Sequence, residues 1–175
     1  MKSFFKAALP AISISTFLIS PSGAFGFRDP DPLDAKATDA ATTVVTSKIL
    51  ESSQFAHRQL DDELAKKFLD RYLDTLDGAH LVFLQSDIDE FTKKQPNLAE
   101  VTREKGDNSL GHFIFKRYLE RLDQRLAFIN EQLKNSKFDF TTDESFAYDR
   151  KDVPRPADLT AAKPLWLQQL RYEYL

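Results

Sequence analysis

The run from Leu64 to Leu76 constrains this chain more than any other segment. Leu64, Phe68, Leu69, Tyr72, Leu73 and Leu76 recur at helical spacing, while Asp62, Lys66, Asp70 and Asp74 fall largely off that stripe. Asp61, Asp62 and Glu63 stand just ahead of it, where the helix dipole favours negative charge. Gly78 is placed to end the helix as a C-cap. Ser86, with Asp89 after it, then predicts a capping box that opens a short helix through Phe91 to about Lys94. Gln95-Pro96-Asn97 ends or bends that helix.

The flanking segments add further helices. From about Asp34 to Ser53 the residues Ala41, Val44, Val45, Ile49 and Leu50 form one apolar face, weakened by the β-branched run Thr42 to Val45. Residues 98–109 read as a polar connection ending in the loop signal Gly106-Asp107-Asn108-Ser109. A long helix follows to about Asn135, with the stripe Phe115, Tyr118, Leu119, Leu122, Leu126, Ile129 and Leu133; Lys116, Glu120, Arg121, Asp123 and Gln124 cover much of its other side. Phe138, Phe140, Phe146 and Tyr148 fall at spacing two, which fits short extended segments near 137–149. Thr141 with Glu144 also fits a capping box, so a helical turn competes there. After the connector with Pro154 and Pro156, Pro164 fits the first turn of a last helix that carries Leu167, Leu170, Arg171 and Tyr174 on one side. The fold class is all-α: an antiparallel domain of about five helices with short loops.

At the other end, residues 1–24 read as a secretory signal peptide. Lys2 and Lys6 make a basic start, Ala7 to Ile19 an apolar stretch too short to span a bilayer, and Ser22 and Ala24 a small-residue cleavage site. Phe25 is the expected mature start, with Ala24 or Gly26 as the alternative. Residues 25–37, with Pro30 and Pro32, form an extended linker. Export to the periplasm follows as an expectation. There is no cysteine, so disulfides, thiol-bound zinc and a lipidated cysteine are excluded, and an apolar core must hold the domain. Fifteen Phe, five Tyr and one Trp can supply it. Loss of Lys2 and Lys6 takes the formal charge from −3 to −5, which argues against nucleic acid or an anionic membrane as partner. No later stretch is apolar enough to span a bilayer.

No catalytic, cofactor or metal site emerges from the residues. Ser47 with Lys48, or Ser136 with Lys137, are sequence neighbours that point apart and cannot share a proton. His57, His80 and His112 lack metal-ligand spacing. Asp77 near His80 is read as a helix-end acceptor and a turn residue rather than a catalytic pair. Asp70, Arg71 and Asp74 are read as a solvated or interdomain salt-bridge cluster, and Phe68, Tyr72, Phe115 and Tyr118 as core. The aromatic end of the last helix is the exception. Trp166, Leu170, Arg171 and Tyr174 are candidates for a contact with another domain or a partner protein.

Three places carry a family resemblance: the run Leu60 to Phe91, with Phe68-Leu69-Asp70-Arg71-Tyr72-Leu73, Leu76-Asp77, His80 and Ser86-Asp87; then Phe138-Asp139-Phe140 with Tyr148-Asp149-Arg150; then Leu165-Trp166 with Arg171-Tyr172-Glu173 and Leu175. In order and spacing they resemble the N-terminal helical domain of the tail-specific, or carboxy-terminal-processing, serine peptidases, over about residues 40–175. The resemblance implies an exported endopeptidase in which a helical N-terminal domain precedes a PDZ domain and a catalytic core with a Ser–Lys dyad. No position here inherits the Ser or the Lys, so no activity is expected from this chain alone. The expected partners are the remaining PDZ and protease domains or a protein adaptor. A free-standing periplasmic interaction module is the alternative. Gln169 departs from the family, which tends to place a basic residue there.

Overall fold

The computed structural model describes residues 37–135, 138, 140–141 and 143–174. The leader, the linker up to residue 36, Ser136, Lys137, Asp139, Thr142 and Leu175 lie outside the described residues. The described residues belong to one compact unit, Leu33–Leu175, and among them are six α-helices and no strand. The helices are α1 (Ala37–Ser53), α2 (Asp62–Asp77), α3 (Gln85–Lys94), α4 (Leu98–Lys105), α5 (Ser109–Asn135) and α6 (Leu159–Tyr174). The fold is therefore all-α, as the sequence indicates. α1 packs on α4, which also meets α2; α3 lies on α5, and α5 on α6.

Local chemistry explains where the helices start. The Asp61 carboxylate caps α2 by accepting the Leu64 amide at 2.8 Å, and Lys66–Asp70 and Lys67–Glu63 pair one turn apart on its outer face. α3 opens two residues earlier than the Ser86–Asp89 box predicts, with Leu84 at the N-cap. Its reciprocal acid is Asp87, which accepts the Leu84 amide at 3.0 Å, while the Gln85 amide donates to the Pro156 carbonyl at 2.8 Å. Asp158 caps α6 through the Ala161 amide at 2.9 Å, so Pro164 sits inside the helix rather than in its first turn. The bond that Pro164 removes is near the helix start, where the helix continues without it.

α4 is a helix where the sequence reads as polar connection. Ala99 is buried and Leu98 packs on the core, which is enough to fold eight residues against α1 and α2. Gly106 ends it at φ +65°, and a Cβ there would overlap the Ala40 carbonyl of α1. The described residues of 138–148 form neither strand nor helix, and a turn follows in which the Val153 amide donates to the Arg150 carbonyl at 3.0 Å.

One core gathers Leu69 and Leu73 of α2, Phe83, Phe91 of α3, and Leu110 and Ile114 of α5. Phe83 meets Phe91 edge-on at 5.4 Å, and Phe91 meets Phe113 at 5.9 Å. A second joins Leu84 to Ala162 and Trp166 of α6, with Phe128 against them. Phe83 and Leu84 are neighbours, so the loop between α2 and α3 serves both cores. Phe68, expected in the α2 stripe, is 73% exposed, because the inward face of α2 centres on Ala65, Leu69 and Leu73.

Candidate functional site

The loop from Asp77 to Leu84 is the most densely bonded part of the domain. Both Asp77 oxygens are taken by backbone amides: Leu81 at 2.8 Å and Val82 at 3.1 Å on one, Phe83 at 2.9 Å on the other. A short buried carboxylate thus satisfies three amides that neither helix reaches. The left-handed residue of the turn is His80 at φ 54°, whereas Gly78 is right-handed, so the αL glycine cap is replaced by the Asp77 carboxylate. His80 Nδ1 lies 2.6 Å from the Val153 carbonyl. Asp77 and His80 each bond to backbone groups, as a helix-end acceptor and a turn residue do.

This loop carries the connector and α6. The Trp166 indole N–H donates to the Leu81 carbonyl at 2.7 Å, and the ring is 1% exposed. Arg155 lies with Nε 3.8 Å from Asp77 Oδ2, and burial pushes its guanidinium pKa down against the pull of Asp77.

A row of arginines binds α5 to its neighbours. Arg117, Arg121 and Arg125 are spaced four apart, which places them on one side of the helix. The Asp87 side chain is fully buried and meets Arg117 Nη1 at 2.7 Å, Arg121 Nε at 2.8 Å and Arg121 Nη2 at 2.8 Å. Arg117 also reaches Glu90 and Glu120, each at 3.1 Å. Burial alone would raise the Asp87 carboxyl; the bonds from Arg121, the Leu84 amide and Arg117 override it and hold the pKa below the ordinary aspartate range. Arg121, read from sequence as a solvent-side residue, is therefore an inward ligand of Asp87. Its signal was available: cations at i, i+4 and i+8, and one acid directly after a helix start. Arg125 Nη2 donates to Gln169 at 2.6 Å, and Gln169 passes a bond to Glu173 at 2.7 Å. The neutral Gln169 thus faces a half-buried guanidinium, where a basic side chain would repel.

The four contact candidates on α6 separate into two pairs. Trp166 and Leu170 are buried in this domain, because α5 and the 77–84 loop already cover the apolar face of α6. Arg171 pairs with Glu144 at 2.6 Å and stays partly exposed, and Tyr174 is 62% exposed. The surface that remains is aromatic. Phe138 packs on Tyr174 at 5.4 Å and Phe146 on Tyr172 at 5.5 Å, with Gln168 bonded to the Ser145 carbonyl at 2.6 Å. Tyr172 and Tyr174 stay exposed beside these contacts, as do Tyr148 and Phe140, whose ring lies 6.2 Å from Phe138. Of the alternating aromatics that suggested strands, Phe138 and Phe146 make ring contacts onto α6 and Phe140 packs on Phe138.

A second apolar feature lies between α1 and α2: a groove of about 470 Å³ that Phe68 and Tyr72 help to line. Of the residues assigned to core, Tyr118 packs on it as expected, whereas Phe68 belongs to this groove. Asp70 pairs with Lys66 on the surface rather than within an Asp70–Arg71–Asp74 cluster. Among the described residues no His or carboxylate cluster is able to hold a metal ion, and no helix is long and apolar enough to cross a membrane. Ser47 and Lys48 are successive residues of α1, and the second on-paper couple, Ser136 with Lys137, lies outside the described residues.

Comparison with known proteins agrees with the early resemblance. A family model described as the tail-specific protease N-terminal domain matches residues 46–175. The tail-specific protease of Haemophilus influenzae is 28% identical over 135 residues, which is 77% of this chain and 19% of that relative. The matched segment thus covers about a fifth of the length of that relative.

Proposed function

The chain belongs to the tail-specific protease N-terminal domain family, and on that footing we propose that it is the scaffold and contact domain of an exported C-terminal-processing serine endopeptidase. The domain itself cuts nothing. A serine peptidase of this class needs a Ser nucleophile beside a desolvated Lys that accepts its proton, and no residue here corresponds to either. Its work is to present a rigid helical surface to the PDZ and protease parts of the same enzyme, or to an adaptor.

The observation that carries this reading is the exposed aromatic end of a tightly held α6, a ledge where Tyr172 and Tyr174 stay exposed with Phe146 and Phe138 packed against them. Exposed rings on a rigid element are the side chains that interfaces favour. The signal peptide read at residues 1–24 supports export. Cleavage assays with the purified chain and a peptide ending in apolar residues test the inactivity. Turnover by the pure chain would overturn it. Addition of the ledge variant Tyr172→Ser/Tyr174→Ser to the complete enzyme should reduce activity without unfolding the domain. Full activity in that variant would remove the ledge from the contact.

A further inference from the structure

α1 sits on the domain with most of its apolar side turned out. Of the face that the sequence marks, Ala41, Val45, Ile49 and Leu50 are exposed, the last three to 55% each, and Val44 alone is half-buried. The side that meets the domain is small and partly polar: Ala40, Thr43, Val44 and Ser47 are half-buried, and none of the described α1 side chains is buried. Every other helix buries at least one apolar residue, as α2 does with Ala65, Leu69 and Leu73 and α4 with Ala99. Apolar area removed from water is what holds a short helix in place, so α1 is the helix held least.

Its own sequence adds little. Thr42 to Val45 are β-branched, and the Thr43 hydroxyl turns back to the Asp39 carbonyl at 2.8 Å, a bond that slightly weakens a helix. Toward α2 it faces the groove of about 470 Å³ rather than a packed seam. Its close contact is with the end of α4, where Gly106 admits the Ala40 carbonyl. A hinge follows it. Residues 54–61 join α1 to α2; there Phe55 is fully exposed and His57 is left-handed at φ 42°. Arg58 is held on the α2 side by Asp61 at 3.0 Å and Glu63 at 2.9 Å, and the Leu60 amide reaches back to Glu51 of α1 at 3.1 Å.

We infer that α1 is a strap that opens as a unit of its own on the hinge at residues 54–61, while α2 to α6 stay folded, and that opening bares the groove wall of Ala65, Leu69 and Leu110. α4 stays behind, because Ala99 is buried and Leu98 packs on the core. The bared wall is apolar, so the closed strap keeps it from water. The device is separate from the α6 contact and does not rest on the peptidase reading.

Native-state hydrogen exchange on the full chain tests this. Amides of residues 44–50 should exchange at least about a hundredfold faster than those of α2 and α5, yet stay protected relative to an unfolded peptide. Lys48 is exposed in the middle of α1, so Lys48→Gly weakens that helix without touching the core. It should speed exchange at 44–50 about threefold and leave exchange in the other helices and the urea midpoint unchanged. The chain has no cysteine, so Ala65→Cys places a single thiol on the groove wall. Its labelling should also quicken about threefold when Lys48→Gly is added. Protection at 44–50 equal to that of α2, no protection there at all, a urea midpoint that falls with Lys48→Gly, or thiol labelling that ignores it overturns the proposal. So does exchange of α4 in step with α1.

Discussion

The indole N–H of Trp166 and the carbonyl of Leu81, 85 residues apart in the chain, form a 2.7 Å hydrogen bond inside the core. This bond fixes α6 to the loop that Asp77 organises. The order of dependence is clear. Asp77 holds the backbone of residues 81–83, that backbone presents the Leu81 carbonyl, and Trp166 then has both a polar partner and an apolar site.

Trp166→Phe should destabilise the domain by about 2–3 kcal/mol, because it leaves the buried Leu81 carbonyl without its donor and opens a small void. Urea unfolding measures this. In the native chain the single Trp should emit at short wavelength and resist iodide quenching.

Asp77→Ala should be costlier than Asp77→Asn, since alanine frees three buried amides while asparagine keeps one acceptor oxygen. A loss of about 3 kcal/mol or more is expected for alanine from groups left unsatisfied. The change should reach α6, so its amides should lose hydrogen-exchange protection with those of the 77–84 loop.

The Asp87 cluster sets a pH dependence. The folded Asp87 pKa lies below its unfolded value, so its contribution is fully present above the unfolded value near about 3.9 and is lost as the pH falls through the folded one. Asp87→Asn should destabilise by about 3–5 kcal/mol at neutral pH, because Arg117 and Arg121 then share a buried site without their counter-charge. The variant should approach the parent chain only as the pH falls below the folded Asp87 pKa, which itself lies under the unfolded value. Asp61, Glu63 and Asp107 also lie below their ordinary values and leave a residual acid dependence.

Gln169→Lys should destabilise by about 1–2 kcal/mol, since it sets an ammonium against the half-buried Arg125 guanidinium. Arg125→Gln in the same chain should restore part of that loss, which a double-mutant cycle resolves. By contrast, Tyr174→Ser on the exposed ledge should shift stability by no more than about 0.5 kcal/mol.

Much of the fold was legible because apolar periodicity reports burial. α2 and α3 follow from it, as does the presence of α5 and α6. The misses share a cause: a residue's partner lies far away in sequence. α4 is too short to show a convincing period, and it folds because Ala99 and Leu98 find the core. The buried side of α5 runs through Leu110, Ile114, Tyr118 and Phe128, rotated from the expected stripe toward the arginines. Charged residues were assigned to water by default, and only Asp87 on α3 explains why Arg117 and Arg121 turn inward. At α6 the apolar face was visible, but not that the domain covers it with its own loop. That cover moved the contact surface from Trp166 and Leu170 to the exposed aromatic ledge.

The central claim is that this domain works as part of a longer peptidase. An antibody raised against residues 60–135 and used on fractionated native cells measures this directly. The account predicts an exported band about four times the length of this chain, since the matched segment is 77% of this chain and 19% of the relative. A single band at or below 20.0 kDa would contradict it and make the domain a free-standing module.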